Sequence, residues 1–184
     1  MAQSIRNRLW DVALDQYGYV TSHDARRLNV PVVELGKLAA RGRLKRVGYG
    51  LYRFEELPLT DLSSYMLATL WPAGHGVLSH DTALELHELC DINPTRIHVT
   101  IPPRLRIRRK DGERYVVHKE ALGRHEIGKF ERIPIVRPLT AIGQGIVSGV
   151  RSGLIDQAIT TARSTGAITR EQEADLRGRA EGDR

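Results

Sequence analysis

The 184-residue chain carries 28 Lys/Arg against 22 Asp/Glu, is 41% hydrophobic and has one cysteine, Cys90. That composition suits two small packed domains and excludes a chain disordered throughout. A lone cysteine excludes an internal disulfide and a cysteine-ligated zinc site, and with no long apolar stretch and no secretory leader the expectation is a cytoplasmic protein without membrane contact.

Residues 1–54 carry ten Lys/Arg and four Asp/Glu. Ile5, Leu9, Val12, Ala13 and Tyr17 recur at helical spacing, with Ser4 as a candidate N-cap and Gly18 as the stop. Tyr19 and Val20 form a short extended link. Thr21 or Ser22 then caps a brief second helix, SHDARRL, with Asp24 in its first turn, where a carboxylate suits the positive end of the dipole. Pro31 opens a third helix, PVVELGKLAARG, whose Val32, Leu35, Leu38 and Ala39 share one face and whose Glu34, Lys37 and Arg41 lie on others. LKRV, GYG and LYRF follow as a hairpin. Helix, short helix, turn, helix and hairpin is the order of a winged helix-turn-helix.

Residues 26–53 hold eight Lys/Arg (Arg26, Arg27, Lys37, Arg41, Arg43, Lys45, Arg46, Arg53) and one acid, Glu34. Cations that meet phosphates release counterions and give salt-dependent affinity for any duplex, while base choice needs side chains in the major groove. Lys37 and Arg41 are the candidates for base contact. Arg43, Lys45, Arg46, Tyr49 and Arg53 are assigned to the backbone or minor groove, and Arg26 and Arg27 complete the candidate DNA-binding set. The competing reading is a solvated basic face on a winged fold that contacts protein.

Glu55–Pro58 reads as a linker, so the expected division is residues 1–54, a linker over 55–58, and a second domain over 59–184. Residues 55–103 carry seven acids and one base, Arg96. DLSSYMLATLW is a predicted helix broken by Pro72 and Gly74. Val77 and Leu78 are extended, Ser79 caps the helix in HDTALELHEL, and RIHVTIPP alternates as a strand. Residues 104–139 turn basic again, with eleven Lys/Arg and five acids. RLRIRRKDGERYVVHKE predicts a second hairpin turned at Asp111-Gly112, and Arg104, Arg106, Arg108, Arg109 and Lys110 form a second basic patch. That patch suits a further DNA contact, a dock for an acidic toxin surface or toxin-held tRNA, or a charged edge strand that resists aggregation. RIPIVRP gives another strand, Leu139–Val150 and Leu154–Ala162 are helical, and Thr169 caps a last polar helix. The whole is α+β: an N-terminal winged helix-turn-helix followed by a mixed α+β domain.

Three stretches together resemble the AbiEi family of antitoxins from type IV toxin–antitoxin and phage abortive-infection systems, in particular its short actinobacterial members: RGRLKRVGYGLYRF, VLSHDTALELHEL with RIHVTIPP, and IPIVRPLTAI. The resemblance covers about residues 5–165. It implies a winged domain that represses its own operon by binding operator DNA, and a second domain that neutralises a nucleotidyltransferase-like AbiEii toxin, directly or functionally. Self-association on a repeated operator is part of that expectation. It supplies no toxin-neutralising residues. A stand-alone regulator with a ligand-sensing or dimerising second domain is the alternative, and a metal-dependent nuclease the third reading.

No catalytic residue, cofactor or metal is expected. His80 and His87 stand seven apart on one helix, not the three or four of a helical zinc pair, and His98, His118 and His125 fall on other elements, so the histidines read as capping and surface residues. Asp111, Glu113 and Lys119 only superficially offer a nuclease set. Gly143, Gly145 and Gly149 suit close helix packing. Cys90 has no evident base and reads as a small, partly buried residue.

Overall fold

A computed structural model describes residues 4–107 and 113–182. The chain forms two compact units, Met1–Gly76 and Val77–Arg184. This sets the helix over 63–70 with the first unit, on the other side of the division from the sequence expectation.

In the first unit, α1 (Ile5–Asp15) starts at Ser4, whose hydroxyl accepts from the Asn7 amide. Gly18, at φ +90°, turns the chain out of the helix. Tyr19–Thr21 is then more than a link: it is strand β1, paired antiparallel with β3 (Leu51–Arg53). Thr21 also caps α2 (Ser22–Arg27). Its hydroxyl accepts from the Asp24 amide while the Asp24 carboxylate accepts from the Thr21 amide at 2.9 Å, a reciprocal capping box. After Pro31 comes α3 (Val33–Ala40), then β2 (Lys45–Gly48) and β3, which complete a three-stranded sheet ordered β1-β3-β2. Gly50, at φ +64°, closes the hairpin, and its carbonyl accepts from the Ser22 amide. A Cβ there would lie 2.8 Å from the Ser22 hydroxyl, so the wing folds onto α2 only with glycine at its turn.

One core holds these elements together: Leu9, Ala13, Val20, Ala25, Val30, Leu35, Leu44, Tyr52 and Phe54. Trp10 meets Phe54 edge to face at 5.0 Å, and the Arg6 guanidinium covers both rings at 5.0 and 5.4 Å. Burying Leu35 fixes the roll of α3 and leaves Val33, Gly36, Lys37 and Ala40 facing out. Helix α4 (Ser63–Leu70) completes the unit.

The second unit is built on a five-stranded sheet ordered β6-β5-β4-β8-β7: β4 (Val77–Leu78), β5 (Ile97–Ile101), β6 (Tyr115–Lys119), β7 (Ile127–Phe130) and β8 (Ile133–Val136). Helices α5 (His80–Leu86), α6 (Pro138–Val147), α7 (Ser152–Ser164) and α8 (Arg170–Gly182) pack in succession, and α5 also packs on β5. Gly145 makes the α6 packing possible, because a Cβ there would meet Ile155 at 3.0 Å and Leu84 at 3.2 Å. Thr169 opens α8 as expected, its hydroxyl accepting from the Gln172 amide at 3.2 Å.

Two expectations for this unit fail. Among the described residues the second hairpin is not seen: residues 104–107 are not in a strand, and Tyr115–Lys119 instead runs parallel to Ile97–Ile101, with Val99 opposite Val117. A parallel pair needs a crossover, so the segment between β5 and β6 serves as that connection. Asp111-Gly112 lies outside the described residues. The real hairpin is β7–β8, turned at Glu131 and Arg132 with both φ positive (45° and 71°). Neither residue favours that conformation, so the sequence carried no turn signal. Second, Ser79 holds the N-cap position of α5 as expected, but its side chain makes no capping bond. Its hydroxyl is engaged by Thr100 at 2.9 Å and by His80 at 3.0 Å.

Candidate nucleic-acid interface

The first unit presents its cations on three connected pieces: the end of α2, the outer face of α3 with the turn after it, and the wing. Arg26 and Arg27 close α2 and are exposed. Arg27 leans on the Asp24 carboxylate at 3.5 Å. On α3, Lys37 is exposed but paired with Glu34, one turn earlier, at 2.7 Å. Arg41, the C-cap, and Arg43 in the following turn are exposed and make no ion pair among the described residues. The edge strand β2 carries exposed Lys45 and Arg46. Lys45 pairs with Glu55 at 3.0 Å, and Arg46 donates to the Gly48 carbonyl at 3.3 Å. Tyr49, 76% exposed, stands at the tip. Surface pairs of this kind contribute about 0–1 kcal/mol, so phosphates can displace them.

Arg53 does not belong to this surface. It lies on β3 between β1 and β2, is 8% exposed, and donates to the Leu57 carbonyl. Its Nε has no hydrogen-bond partner. Burial raises the neighbouring Tyr19 phenol, and the Arg53 guanidinium draws it back down. The expected DNA contact by Arg53 therefore fails: β1 pairs along the edge of β3 that a two-stranded wing would leave open, with Tyr19 opposite Arg53, and the side chain is buried.

The segment after the wing supplies acidic counterparts. Besides Glu55 on Lys45, Glu56 meets Arg6 at 2.7 Å. Its carboxyl sits below the usual range, held by its own backbone hydrogen bond and then by Arg6 and Arg43. The free cationic surface is therefore centred on Arg26, Arg41, Arg43 and Arg46, beside an uncharged outer helix face of Val33, Gly36 and Ala40. Such a face admits close approach to base edges and apolar contact with thymine methyls.

In the second basic patch Arg104 and Arg106 are exposed, outside any strand. Arg108, Arg109 and Lys110 lie outside the described residues. Asp111 does too; Glu113 lies in the turn before β6, and Lys119 ends that strand. Among the described residues no group of three or more His, Cys, Asp or Glu is arranged to hold a metal ion, and no helix is long and apolar enough to cross a membrane.

The histidines correct the sequence reading. His80 stacks on His118 with ring centres 3.4 Å apart, and His118 Nε2 lies 3.2 Å from His98 Nδ1. Asp81 is 4.0 Å from His98. Burial, then the two neighbouring imidazoles, push His80 down to about 3. The three rings meet because β5 and β6 run parallel, which the sequence pattern did not reveal. His80 and His118 border a cleft of about 1110 Å³ within the second unit. His87 is likewise half-buried, its Nε2 2.8 Å from the Val136 carbonyl.

Residues 7–54 match the family model described as transcriptional regulator, AbiEi antitoxin. The resemblance to AbiEi antitoxins drawn from the sequence holds over that stretch. The fold is similar to the crystal structure of the RV2827C protein from Mycobacterium tuberculosis, with a TM-score of 0.53 at 17% identity over 96% of this chain and 75% of that one. No curated protein matches the chain.

Proposed function

We propose that this chain, whose first unit is an AbiEi-type winged regulator, is an autoregulatory antitoxin. The winged unit occupies operator repeats upstream of its own gene. The second unit neutralises a nucleotidyltransferase-like toxin, by contact or through its function. It acts in the cytoplasm by occupancy, without catalysis or cofactor. The observation that carries this is the exposed α3 face, continued by Arg41, Arg43 and the wing cations, on a segment that matches a regulator family. An operator with two half-sites would seat two copies spaced by whole helical turns.

Gel shifts on the full chain test it, with upstream DNA against a scrambled duplex. Upstream DNA binds at least tenfold more tightly. Lys37→Ala narrows that ratio, because a lost base contact costs about 1–3 kcal/mol. Lys45→Ala weakens both duplexes alike, since a phosphate contact carries no sequence information. Equal binding of the two duplexes by the native chain ends the operator reading. The cleft in the second unit favours one other reading, a stand-alone regulator that senses a ligand. A nucleotidyltransferase gene next to this one, with rescue of growth on co-expression, decides for the antitoxin.

A further inference from the structure

The cleft of the second unit is a built site. Its walls combine three cations from three elements: Lys119 at the end of β6, Arg137 before α6, and Arg179 on α8. Arg179 is seated over α6 at Gly143, where even a Cβ would come within 3.3 Å of its guanidinium. The first turn of α6 adds the N–H groups of Leu139 and Thr140, which precede the first intrahelical bond, from Ala141 to the Arg137 carbonyl. No side chain caps that end.

The second observation is His80. It is 7% exposed and sits at φ +51°, a conformation that β-carbon sterics disfavour. Its orientation is fixed by a chain of hydroxyls. Thr100 donates to the fully buried Ser79 oxygen. Among the described residues the Ser79 hydrogen then has one remaining partner, His80 Nδ1 at 3.0 Å. Leaving it unmade would bury an unsatisfied donor, which is costly. The neutral ring therefore carries its proton on Nε2. That N–H has no partner among the described residues, and His80 lines the cleft. The His80 amide donates to Gln144 Oε1 at 3.1 Å, and Gln144 donates to Glu120 at 2.6 Å, so this wall is rigid.

Two carboxylates also line the cleft. Glu120 spends one oxygen on Gln144, and Glu126 spends one on the Gly123 amide at 2.7 Å. Three cations against two acids is too balanced for a bare polyanion. It fits a ligand with an anionic head and hydroxyls that donate to carboxylates. We propose that this cleft binds a small hydroxylated phosphate ester, a nucleoside monophosphate or a sugar phosphate, with the phosphate among Arg137, Arg179, Lys119 and the α6 amides and the hydroxyls toward Glu120 and Glu126. A helix N-terminus and convergent cations suit phosphate oxygens, and the volume is ample for such a molecule.

Isothermal titration of the full chain with adenosine 5′-monophosphate, ribose 5-phosphate, adenosine and inorganic phosphate tests this. At least one ester binds with a dissociation constant of a millimolar or below, and adenosine and inorganic phosphate bind at least tenfold more weakly. Binding of the nucleotide alone marks a nucleotide site, and of ribose 5-phosphate alone a sugar-phosphate site. Arg137→Gln and Arg179→Gln, both surface changes, each weaken the ester at least tenfold with unchanged circular dichroism. Arg41→Ala with Arg46→Ala, in the winged unit, leaves it unchanged. No ester binding, binding indifferent to Arg137 and Arg179, or binding lost with the winged-unit pair overturns the proposal.

Discussion

Alanine at Arg26, Arg43 and Arg46 together lowers the affinity for any duplex by about a hundredfold near 0.15 M salt. The size follows from counterion release: each phosphate contact contributes about 0.9 to the slope of log K against log salt, so three removed contacts flatten the slope by up to about three. These arginines are exposed and none is committed to a carboxylate at ion-pair distance. Arg53→Ala behaves differently. It removes a buried guanidinium and its bond to the Leu57 carbonyl, so it lowers the unfolding midpoint and leaves the salt slope of the folded protein unchanged. Fluorescence anisotropy across a salt series reads both variants. A triple variant with the native slope would mean that these cations do not face phosphate.

The second unit loses stability on mild acidification, by about 2 kcal/mol between pH 7 and pH 5 from His80 alone. In the fold, burial and then His118 and His98 hold His80 near 3, against 6.5 for a free imidazole. Between those values the unfolded chain binds a proton that the folded chain does not. Stability is therefore complete above about pH 6.5 and drains as pH falls toward 3. His98 and His118 are also lowered, by burial first, and add in the same direction, with Asp81 opposing both. Urea unfolding at pH 7 and 5 checks this. His80→Asn, which tolerates the left-handed backbone and keeps a polar side chain, flattens the dependence. A native chain equally stable at both values would refute it.

Local chemistry made the winged unit legible, and long-range pairing hid the rest. Ser4, Thr21 with Asp24, Pro31 and Gly50 act within a few residues of themselves, so caps and turns announced α1, α2, α3 and the wing. The outward face of α3 followed from the spacing of Leu35 and Leu38. Arg53 was misplaced because its burial depends on β1, thirty-odd residues earlier and too short to stand out. In the second unit the parallel pairing of β5 with β6 has no local marker, and neither does the Glu131-Arg132 turn. The histidine cluster was lost with them, since His80, His98 and His118 become neighbours only through that sheet. The cleft combines side chains from β6, α6 and α8 and shows no motif spacing at all.

The central claim is that α3 and the wing form the surface that enters duplex DNA. Amide shift mapping of the isotopically labelled full chain, titrated with its upstream duplex, tests it residue by residue. The largest changes are expected over residues 33–43 and 45–50. Changes confined to the second unit, or a winged unit unmoved at saturating DNA, would contradict it.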